Sequence, residues 1–370
     1  MSKLVYIANI RLPTEKAHGI QIMEMCQAFK KNGVDVELLI PNRSTPIKDD
    51  LFKYYDIETK FPVKKLFCIE LLALGKLMFW VETLSFSFSV FLYSLFRTNT
   101  IFYTRDRLPA LILKLLGEKV ILEEHYGHKN KLISKLISLN IPIVVITEAL
   151  KDLYLGMGAK NEQILVAADG VDVDRFDIDV SRSDAREKLT LPQDKKIVLY
   201  KGHLYAWKGA GTLAQTAPLL NKDIQLVFIG GTEADVVEFK NNYGKYENVS
   251  ILGNRPRKET PIYQKAADLL VIPNSAKEDV SKLFTSPMKM FGYMAGGVPI
   301  VASDLPSLRE VLSEDTAYFF KPDDEKDLAR VIQDVFNNYE TAKGNAVKAL
   351  EKVRKYSWRT RAQNIINFIS

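Results

Sequence analysis

The chain has 370 residues, of which 47% are hydrophobic, and this length and composition predict two domains rather than one core. Its 51 basic and 45 acidic residues give a net charge of +6, which fits anionic substrates or an anionic membrane surface better than a dedicated nucleic-acid binder. Cys26 and Cys68, the only cysteines, show no metal-type spacing and give little case for a disulfide framework. The N-terminal apolar run is too short for a secretory signal, so we expect a cytoplasmic protein.

The first 40 residues read as a βαβ unit. The pattern predicts strands over 4–10 and 34–40, with an amphipathic helix over 20–32 between them. His18 and Gly19 fall in the predicted loop after the first strand. Three more short apolar strands, which indicate a mostly parallel sheet, are predicted at Thr100–Tyr103, Val120–Leu122 and Ile143–Ile146.

Residues 71–96 are strongly apolar, with Lys76 and Glu82 as their only charges. The run from Leu77 to Phe96 nearly has the roughly 20 residues that span a bilayer. Glu82 and three serines weigh against a span, which would also separate two halves of one sheet. The pattern therefore favours a buried helix, then a helix that rests on lipid, and a membrane span last.

The polar run 177–196 is the predicted linker, after which strands and helices alternate again. Residues 197–213 read as an apolar strand, a turn at Gly202, a loop with His203 and Lys208, and a second helix. A loop lysine before a helix N-terminus offers positive charge where a diphosphate could bind. The alternative for Lys208 is a solvated surface lysine.

Residues 286–310 predict a second anion site. Ser286 is the expected N-cap of a helix and Pro287 its first residue, while Gly296 and Gly297 end it. The unpaired N–H groups at such a helix start, together with the helix dipole, attract phosphate oxygens. Lys289 adds a positive charge in the first turn.

Several motifs, in order, cover most of the chain: 145–176, YKGHLYAWKG at 200–209, 253–275, SPMKMFGYMAGGVPIVASDLPSLREVL at 286–312 and 356–369. With these motifs the chain resembles the retaining, nucleotide-sugar-dependent glycosyltransferases of the GT-B fold, in the group often called family 4. The joint order and spacing of the motifs carry this resemblance, since no single one is decisive.

The resemblance implies an α/β protein with two Rossmann-like domains whose parallel sheets face each other across an interdomain cleft. The expected domains are an acceptor-side domain over 1–178, joined by the terminal helix in 356–370, and a nucleotide-sugar-binding domain over 179–355. The donor would be a UDP- or GDP-sugar and the acceptor a glycan or lipid-linked molecule of the cell envelope. The resemblance implies retention of anomeric configuration, with no metal and no further cofactor, and peripheral contact with the inner face of the membrane through 71–96.

The resemblance also implies roles for individual residues. His125 matches a histidine that faces the donor sugar, and Lys208 would stabilise charge on the leaving diphosphate, so these two are the catalytic candidates. The alternative for His125 is a purely structural histidine. The donor-binding candidates are Gly19, His203, Arg255, Ser286, Pro287, Lys289, Gly292 and Glu310.

The chain departs from the family at Gly292. Many relatives carry a glutamate there that holds the donor ribose, and a glycine inside a helix costs about 1 kcal/mol relative to alanine. Losing a charged hydrogen bond to the ligand costs roughly 1.5–3 kcal/mol. Weak activity, altered nucleotide preference, or compensation by Glu310 would each fit this substitution.

Two other classes of function stay open from the sequence. One is a protein of the same shape that has weakened catalysis and acts as a regulatory or scaffolding subunit, which Gly292 supports while His125 and Lys208 oppose it. The other is an epimerase or phosphorylase of the same architecture, which would need other carboxylates or a pyridoxal lysine. Dinucleotide binding is weaker still, because no Gly-x-Gly-x-x-Gly motif follows the first strand.

Overall fold

A computed structural model describes residues 3–70 and 76–369 of the chain. They divide into two compact units, one running to Ala168 and resuming at Trp358, and the other Asp169–Ser357. The division falls earlier than the boundary expected at 178. The predicted linker is wrong over Arg182–Lys188, which forms a helix of the second unit: Arg186 is buried there and its guanidinium bonds to the Asp268 carboxylate at 2.5 Å.

The first unit is built on a seven-stranded parallel sheet in the order β3-β2-β1-β4-β5-β6-β7. Its strands are β1 Lys3–Ile7, β2 Val36–Pro41, β3 Val63–Leu66, β4 Thr100–Thr104, β5 Lys119–Glu124, β6 Ile143–Val145 and β7 Ile164–Val166. The helices that precede β7 are α1 Ala17–Lys31, α2 Leu51–Tyr55, α3 Lys76–Ser94, α4 Arg107–Leu115, α5 Lys131–Ser138 and α6 Glu148–Leu155. The central strands are buried, as parallel strands covered on both faces require.

The second unit has a six-stranded parallel sheet in the order β10-β9-β8-β11-β12-β13. Its strands are β8 Lys196–Lys201, β9 Ile224–Ile229, β10 Val249–Gly253, β11 Leu269–Ile272, β12 Ile300–Ser303 and β13 Tyr318–Phe320. Its helices are α7 Arg182–Lys188, α8 Ala210–Gln215, α9 Glu233–Tyr243, α10 Thr260–Ala266, α11 Asp279–Lys282, α12 Met288–Ala295, α13 Pro306–Arg309, α14 Glu325–Asn337 and α15 Tyr339–Val353. The last helix, α16 Trp358–Ile369, belongs to the first unit and packs on α1.

These two α/β units with parallel sheets confirm the predicted fold class. Apolar strands alternate with helices throughout, and that alternation is the pattern that predicts parallel sheets. Loops that follow the carboxyl ends of such strands are the usual place for ligand sites.

Helix α3 is buried on one face and exposed on the other. Phe86, Val90 and Tyr93 are at most 7% exposed, whereas Trp80 and Phe88 are 57% and 58% exposed. The expectation of a buried helix therefore holds for one face only. None of the helices in the described residues is long and apolar enough to cross a membrane, and residues 71–75 of the apolar run lie outside the described part.

Candidate functional sites in the two units

The first unit holds a small polar cavity at the carboxyl ends of β1, β4 and β5. Its volume is about 170 Å³. The polar and charged residues that line it are His18, Arg105, Asp106, Glu123, Glu124 and His125. Such a cluster of ionisable groups at the end of a parallel sheet is typical of a ligand or catalytic site.

His125 is held by the buried carboxylate of Glu123, with 2.6 Å between Nε2 and Oε1. Burial, and then the charge of Arg105, lower the pKa of His125 to about 4, so the imidazole is neutral at physiological pH. Since the Glu123 carboxylate can only accept, Nε2 carries the proton and Nδ1 is the acceptor nitrogen. The structure thus fixes the tautomer of His125.

Glu123 is the hub of this cluster and is fully buried. Its Oε1 also accepts hydrogen bonds from Gln21 at 2.7 Å and from Arg361 of α16 at 2.8 Å, and Tyr103 donates to Oε2. Burial alone would raise its pKa, but Arg361 and the hydrogen bond from His125 bring the pKa well below the usual value. Glu123 and Arg361 are functional-site residues that the sequence interpretation missed.

The neighbouring carboxyl groups differ in their surroundings. Glu124 is paired with Arg107 through two hydrogen bonds of 2.6 and 2.8 Å, and Tyr154 donates to it as well. Asp106 accepts from the Asn9 amide at 2.7 Å, yet burial raises its pKa to about 6. Glu124 is therefore held in a fixed ion pair, whereas Asp106 can change its charge near neutral pH.

His18 and Gly19 lie in the first turn of α1, so the expectation that they belong to a loop is wrong. His18 faces the cavity, where burial, and then Arg105, lower its pKa to about 4. Gly19 packs on α2, because a Cβ at this position would lie 2.2 Å from the Tyr55 hydroxyl. Its amide donates to the Lys16 carbonyl at 3.1 Å. The donor-binding role of Gly19 stays a prediction.

In the second unit, basic side chains gather after the end of β8. Lys208 ends a short 3₁₀ turn, with its Nζ 3.7 Å from the centre of the Trp207 ring, and burial lowers its pKa to about 7. Lys289, in the first turn of α12, has its Nζ 4.4 Å from the centre of the Tyr200 ring. Burial, and then the charge of Lys208, lower the pKa of Lys289 well below its usual value. Lys208 and Lys289 are thus near enough for the charge of Lys208 to act on Lys289.

The Lys289 amine is buried and has no hydrogen-bond partner among the described residues. Helix α12 also lacks a side-chain cap at its N-terminus, so its first amides add further donors. Asn274, which follows β11, likewise has both side-chain polar atoms buried without a described partner. Buried polar groups without partners are rare in native proteins and call for a ligand.

The helix start differs from the sequence prediction. Ser286 is not the N-cap, because α12 begins at Met288 and Pro287 occupies the cap position in an extended conformation. The Ser286 hydroxyl instead accepts a hydrogen bond from the Asp169 amide at 3.0 Å. Ser286 and Pro287 therefore form the segment that leads into α12. A direct contact of either residue with the sugar donor stays a prediction.

Gly209 lets the loop with Lys208 approach β11 closely. A Cβ here would lie 1.6 Å from the Pro273 carbonyl oxygen, and the positive φ of 71° is one that only glycine adopts readily. His203 precedes this loop, stacks on Tyr205 with ring centres 4.9 Å apart, and its carbonyl accepts from Tyr200 at 2.6 Å. Tyr200 thus contacts both His203 and Lys289.

Lys201 is a third lysine of this region that the sequence interpretation missed. Burial, and then the charges of Arg257 and Arg175, lower its pKa to about 7. Its Nζ donates to Thr260 at 2.6 Å. The available signal was a lysine at the end of an apolar strand, but this pattern also fits a strand end that reaches solvent.

Arg255 and Glu310 lie just after β10 and just after α13, respectively. Arg255 is exposed in the loop after β10, near Tyr263. Glu310 follows α13 and, after burial, is the second cause of a raised pKa at Tyr356. Their roles in donor binding stay predictions.

Gly292 lies inside α12 and faces the short 3₁₀ turn Asp174–Phe176. A Cβ there would lie 3.3 Å from the Phe176 ring and 3.8 Å from the Gln264 amide. Phe176 therefore borders the space into which a longer side chain at 292 would extend. Within the described residues, no group of three or more His, Cys, Asp or Glu side chains could hold a metal ion.

The chain is similar to known proteins in its fold and, over part of its length, in its sequence. The structure of Anabaena HepE in complex with UDP and glucose superposes with a TM-score of 0.78, at 14% identity over 99% of both chains. The chain has the GT-B fold of the glycosyltransferases. Residues 181–352 match the model of the family "Glycosyl transferases group 1", which confirms the resemblance to group 1 glycosyltransferases over the second unit.

Two curated relatives are similar at lower coverage. The D-inositol 3-phosphate glycosyltransferase of Xylanimonas cellulosilytica is 27% identical over 45% of this chain and 41% of its own length. The phosphatidyl-myo-inositol mannosyltransferase of Mycobacterium tuberculosis is 27% identical over 57% of this chain and 54% of its own length. The chain thus spans about half the length of these relatives.

Proposed function

We propose that this protein is a retaining glycosyltransferase that moves a sugar from a UDP- or GDP-sugar to a glycan or lipid-linked acceptor, with no metal and no further cofactor. The observation that carries the proposal is the buried, unpartnered amine of Lys289 beside Lys208 at the uncapped start of α12. Two amines and a helix N-terminus match the charge and the oxygens of a diphosphate. The UDP-bound relative from Anabaena supports the same choice of ligand.

In this proposal, the two lysines stabilise the diphosphate as its bond to the anomeric carbon breaks. The acceptor oxygen forms the new bond on the same face, and its proton passes to the departing diphosphate oxygen. The basic side chains and helix dipole would supply the positive charge that a divalent cation supplies in other transferases.

His125 would position the sugar or the acceptor. Because Nε2 donates its proton in a hydrogen bond to Glu123, Nδ1 is left to accept a hydrogen bond from a sugar hydroxyl. A neutral imidazole suits this task over the whole physiological pH range, since its pKa is about 4.

The proposed acceptor and cellular location are inferred from the relatives. The mannosyltransferase named above acts, by its name, on phosphatidyl-myo-inositol, which is a lipid. We infer a role in cell-envelope or exopolysaccharide synthesis, in the cytoplasm at the inner face of the membrane, with peripheral contact through 71–96.

A second candidate function is a GT-B protein with weakened catalysis that acts as a regulatory or scaffolding subunit. The placement of Phe176 against Gly292 favours it, because a ribose-binding carboxylate at 292 would have to displace this ring. The lysine cluster opposes it, since buried amines without a ligand only destabilise the fold.

Calorimetric titration of UDP, GDP and ADP into the full chain, with a chelator present, separates the two candidates. The transferase predicts saturable binding of one nucleotide, which Lys208→Met weakens while the substitution of an exposed lysine in α11, Lys282→Met, leaves it unchanged. Hydrolysis or transfer of the matching nucleotide sugar then tests catalysis. Binding without turnover in the presence of candidate acceptors would favour the regulatory function, and no binding at all would reject the phosphate site.

A further inference from the structure

Lys201, at the end of β8, is a partly buried lysine that the proposed mechanism does not use. Its Nζ donates to the hydroxyl of Thr260, the first residue of α10, at 2.6 Å. Its backbone amide donates to the Tyr293 hydroxyl of α12 at 2.7 Å. Lys201 is therefore fixed where β8, α10 and α12 meet. An ammonium group has three N–H donors, of which Thr260 satisfies one.

The charges that act most strongly on Lys201 are positive. Burial comes first, and then Arg257 and Arg175 lower the pKa of its amine to about 7. A partly buried amine beside two other cations is costly unless a hydrogen-bond acceptor meets it. Lys201 therefore suits a ligand that offers oxygen atoms.

A groove on α12 holds a second polar side chain on the same side of α10. Gln264 lies one turn after Thr260, so the two residues face the same side of that helix. The Gln264 amide lies over two glycines: a Cβ at 292 would be 3.8 Å from Nε2, and a Cβ at 296 would clash with Oε1. Gln264 is 2% exposed, and its Oε1 has no hydrogen-bond partner among the described residues. Gly292 and Gly296 thus leave room for a buried amide that can still accept a hydrogen bond.

Lys201 also borders the proposed diphosphate site. Gly202 follows it directly, and a Cβ at Gly202 would lie 3.8 Å from the Lys289 amine. A group attached to a diphosphate that Lys289 binds therefore begins close to the end of β8. In a nucleoside diphosphate sugar, the ribose and the donor sugar are both attached to the diphosphate, and both are hydroxylated rings.

We propose that Lys201 and Gln264 form a subsite for the ribose of the donor nucleotide. The lysine Nζ donates to one ribose oxygen, and the Gln264 amide exchanges a hydrogen bond with a neighbouring hydroxyl. The donor sugar fits this position less well, because it must be open to an acceptor while Gln264 is almost completely buried. The subsite rests on the proposed function, since only a nucleotide would bring a ribose to it.

Calorimetric titration of the full chain with three probes tests the subsite. The probes are UDP, 2′,3′-dideoxy-UDP, which lacks both ribose hydroxyls, and inorganic pyrophosphate, with the guanine nucleotides in their place if GDP is the one that binds. We expect the parent to bind UDP at least about tenfold more tightly than the dideoxy form. Lys201→Met should bind UDP about tenfold more weakly than the parent, and should bind the dideoxy form and pyrophosphate nearly as the parent does.

Two further variants make the test specific. Lys196→Met is the matched control, because it removes an exposed lysine at the opposite end of the same strand, and it should bind all three probes like the parent. Gln264→Met keeps the length of the side chain and removes the amide, so it should also lose preference for UDP over the dideoxy form. Thermal unfolding shows which variants are folded, and either Lys201→Met or Gln264→Met is sufficient. A folded variant of either kind that keeps the full preference of the parent would overturn the subsite.

Other outcomes distinguish a failure of the subsite from a failure of the proposed function. A parent that binds neither UDP nor GDP would reject both. UDP binding that Lys208→Met weakens and Lys201→Met does not would keep the phosphate site and reject the subsite alone. An equal loss of UDP and pyrophosphate in Lys201→Met would assign this lysine to the phosphates. A loss seen with UDP-glucose but not with UDP would assign the groove to the donor sugar, and each of these results would overturn the ribose assignment.

Discussion

The two polar sites of this protein differ in how their buried charges are balanced. Around His125, the hub carboxylate Glu123 receives hydrogen bonds from four side chains, so that its charge is balanced within the unit. Around Lys289, the amines have no carboxylate partner in the described residues. The carboxylate of the first site is paired by its own neighbours, whereas the Lys289 amine of the second site has no described partner, which favours an anionic ligand.

The largest expected effect comes from removing the charge of Glu123. Glu123→Gln removes the charge that faces Arg361 and His125, and unfolding free energy should fall by about 3 kcal/mol because a buried cation loses its counter-charge. Urea unfolding measures this change. Glu118→Gln, on a partly exposed turn, is the control. An unchanged midpoint in Glu123→Gln would show that the cluster is not held by charge.

Substitution of Lys289 should change the unfolding free energy in the opposite direction. Lys289→Met removes a buried amine and should raise unfolding free energy, while nucleotide affinity should fall roughly thirtyfold for one lost charged hydrogen bond of about 2 kcal/mol. Denaturation and calorimetry on one protein sample report both quantities. A variant that loses stability as well as affinity would contradict the idea that the amine is unpaired in the free protein.

The pH dependence of UDP affinity is a smaller effect that also distinguishes the two sites. Lys208 has a pKa of about 7 in the free protein, so it loses its proton as pH rises above 7. Since the diphosphate binds the ammonium form, UDP affinity should fall by up to about tenfold per pH unit above that value. Titrations from neutral to alkaline pH test this, with Lys208→Met expected to flatten the slope. Affinity that does not change with pH would remove Lys208 from the anion site.

The smallest effect is expected at Gly292. Gly292→Ala gains helix propensity worth up to about 1 kcal/mol, but its Cβ meets the Phe176 ring at 3.3 Å, so we expect a net change within about 0.5 kcal/mol. The double variant Gly292→Glu/Phe176→Ala then provides room for a carboxylate. If it binds nucleotide more tightly than Phe176→Ala alone, the missing glutamate limits the donor site.

The sequence predicts those parts of the molecule that depend on local pattern. Alternating apolar strands and helices predict both parallel sheets, and a lysine in the first turn of α12 predicts an anion site. The role of Glu123 depends on Arg361, which is 238 positions away, and no spacing rule connects them. The cap prediction at Ser286 is wrong for the same reason, since Asp169, 117 positions away, occupies its hydroxyl.

The position of α16 sets an order for folding during synthesis. The second unit is one uninterrupted stretch, Asp169–Ser357, and all of its strands have emerged before α16 is made. The first unit begins earlier but needs Arg361 to balance Glu123, so its polar cluster closes only after α16 has left the ribosome. The half of the protein that is translated first is therefore the half that matures last, reversing the usual N-to-C order of domain folding.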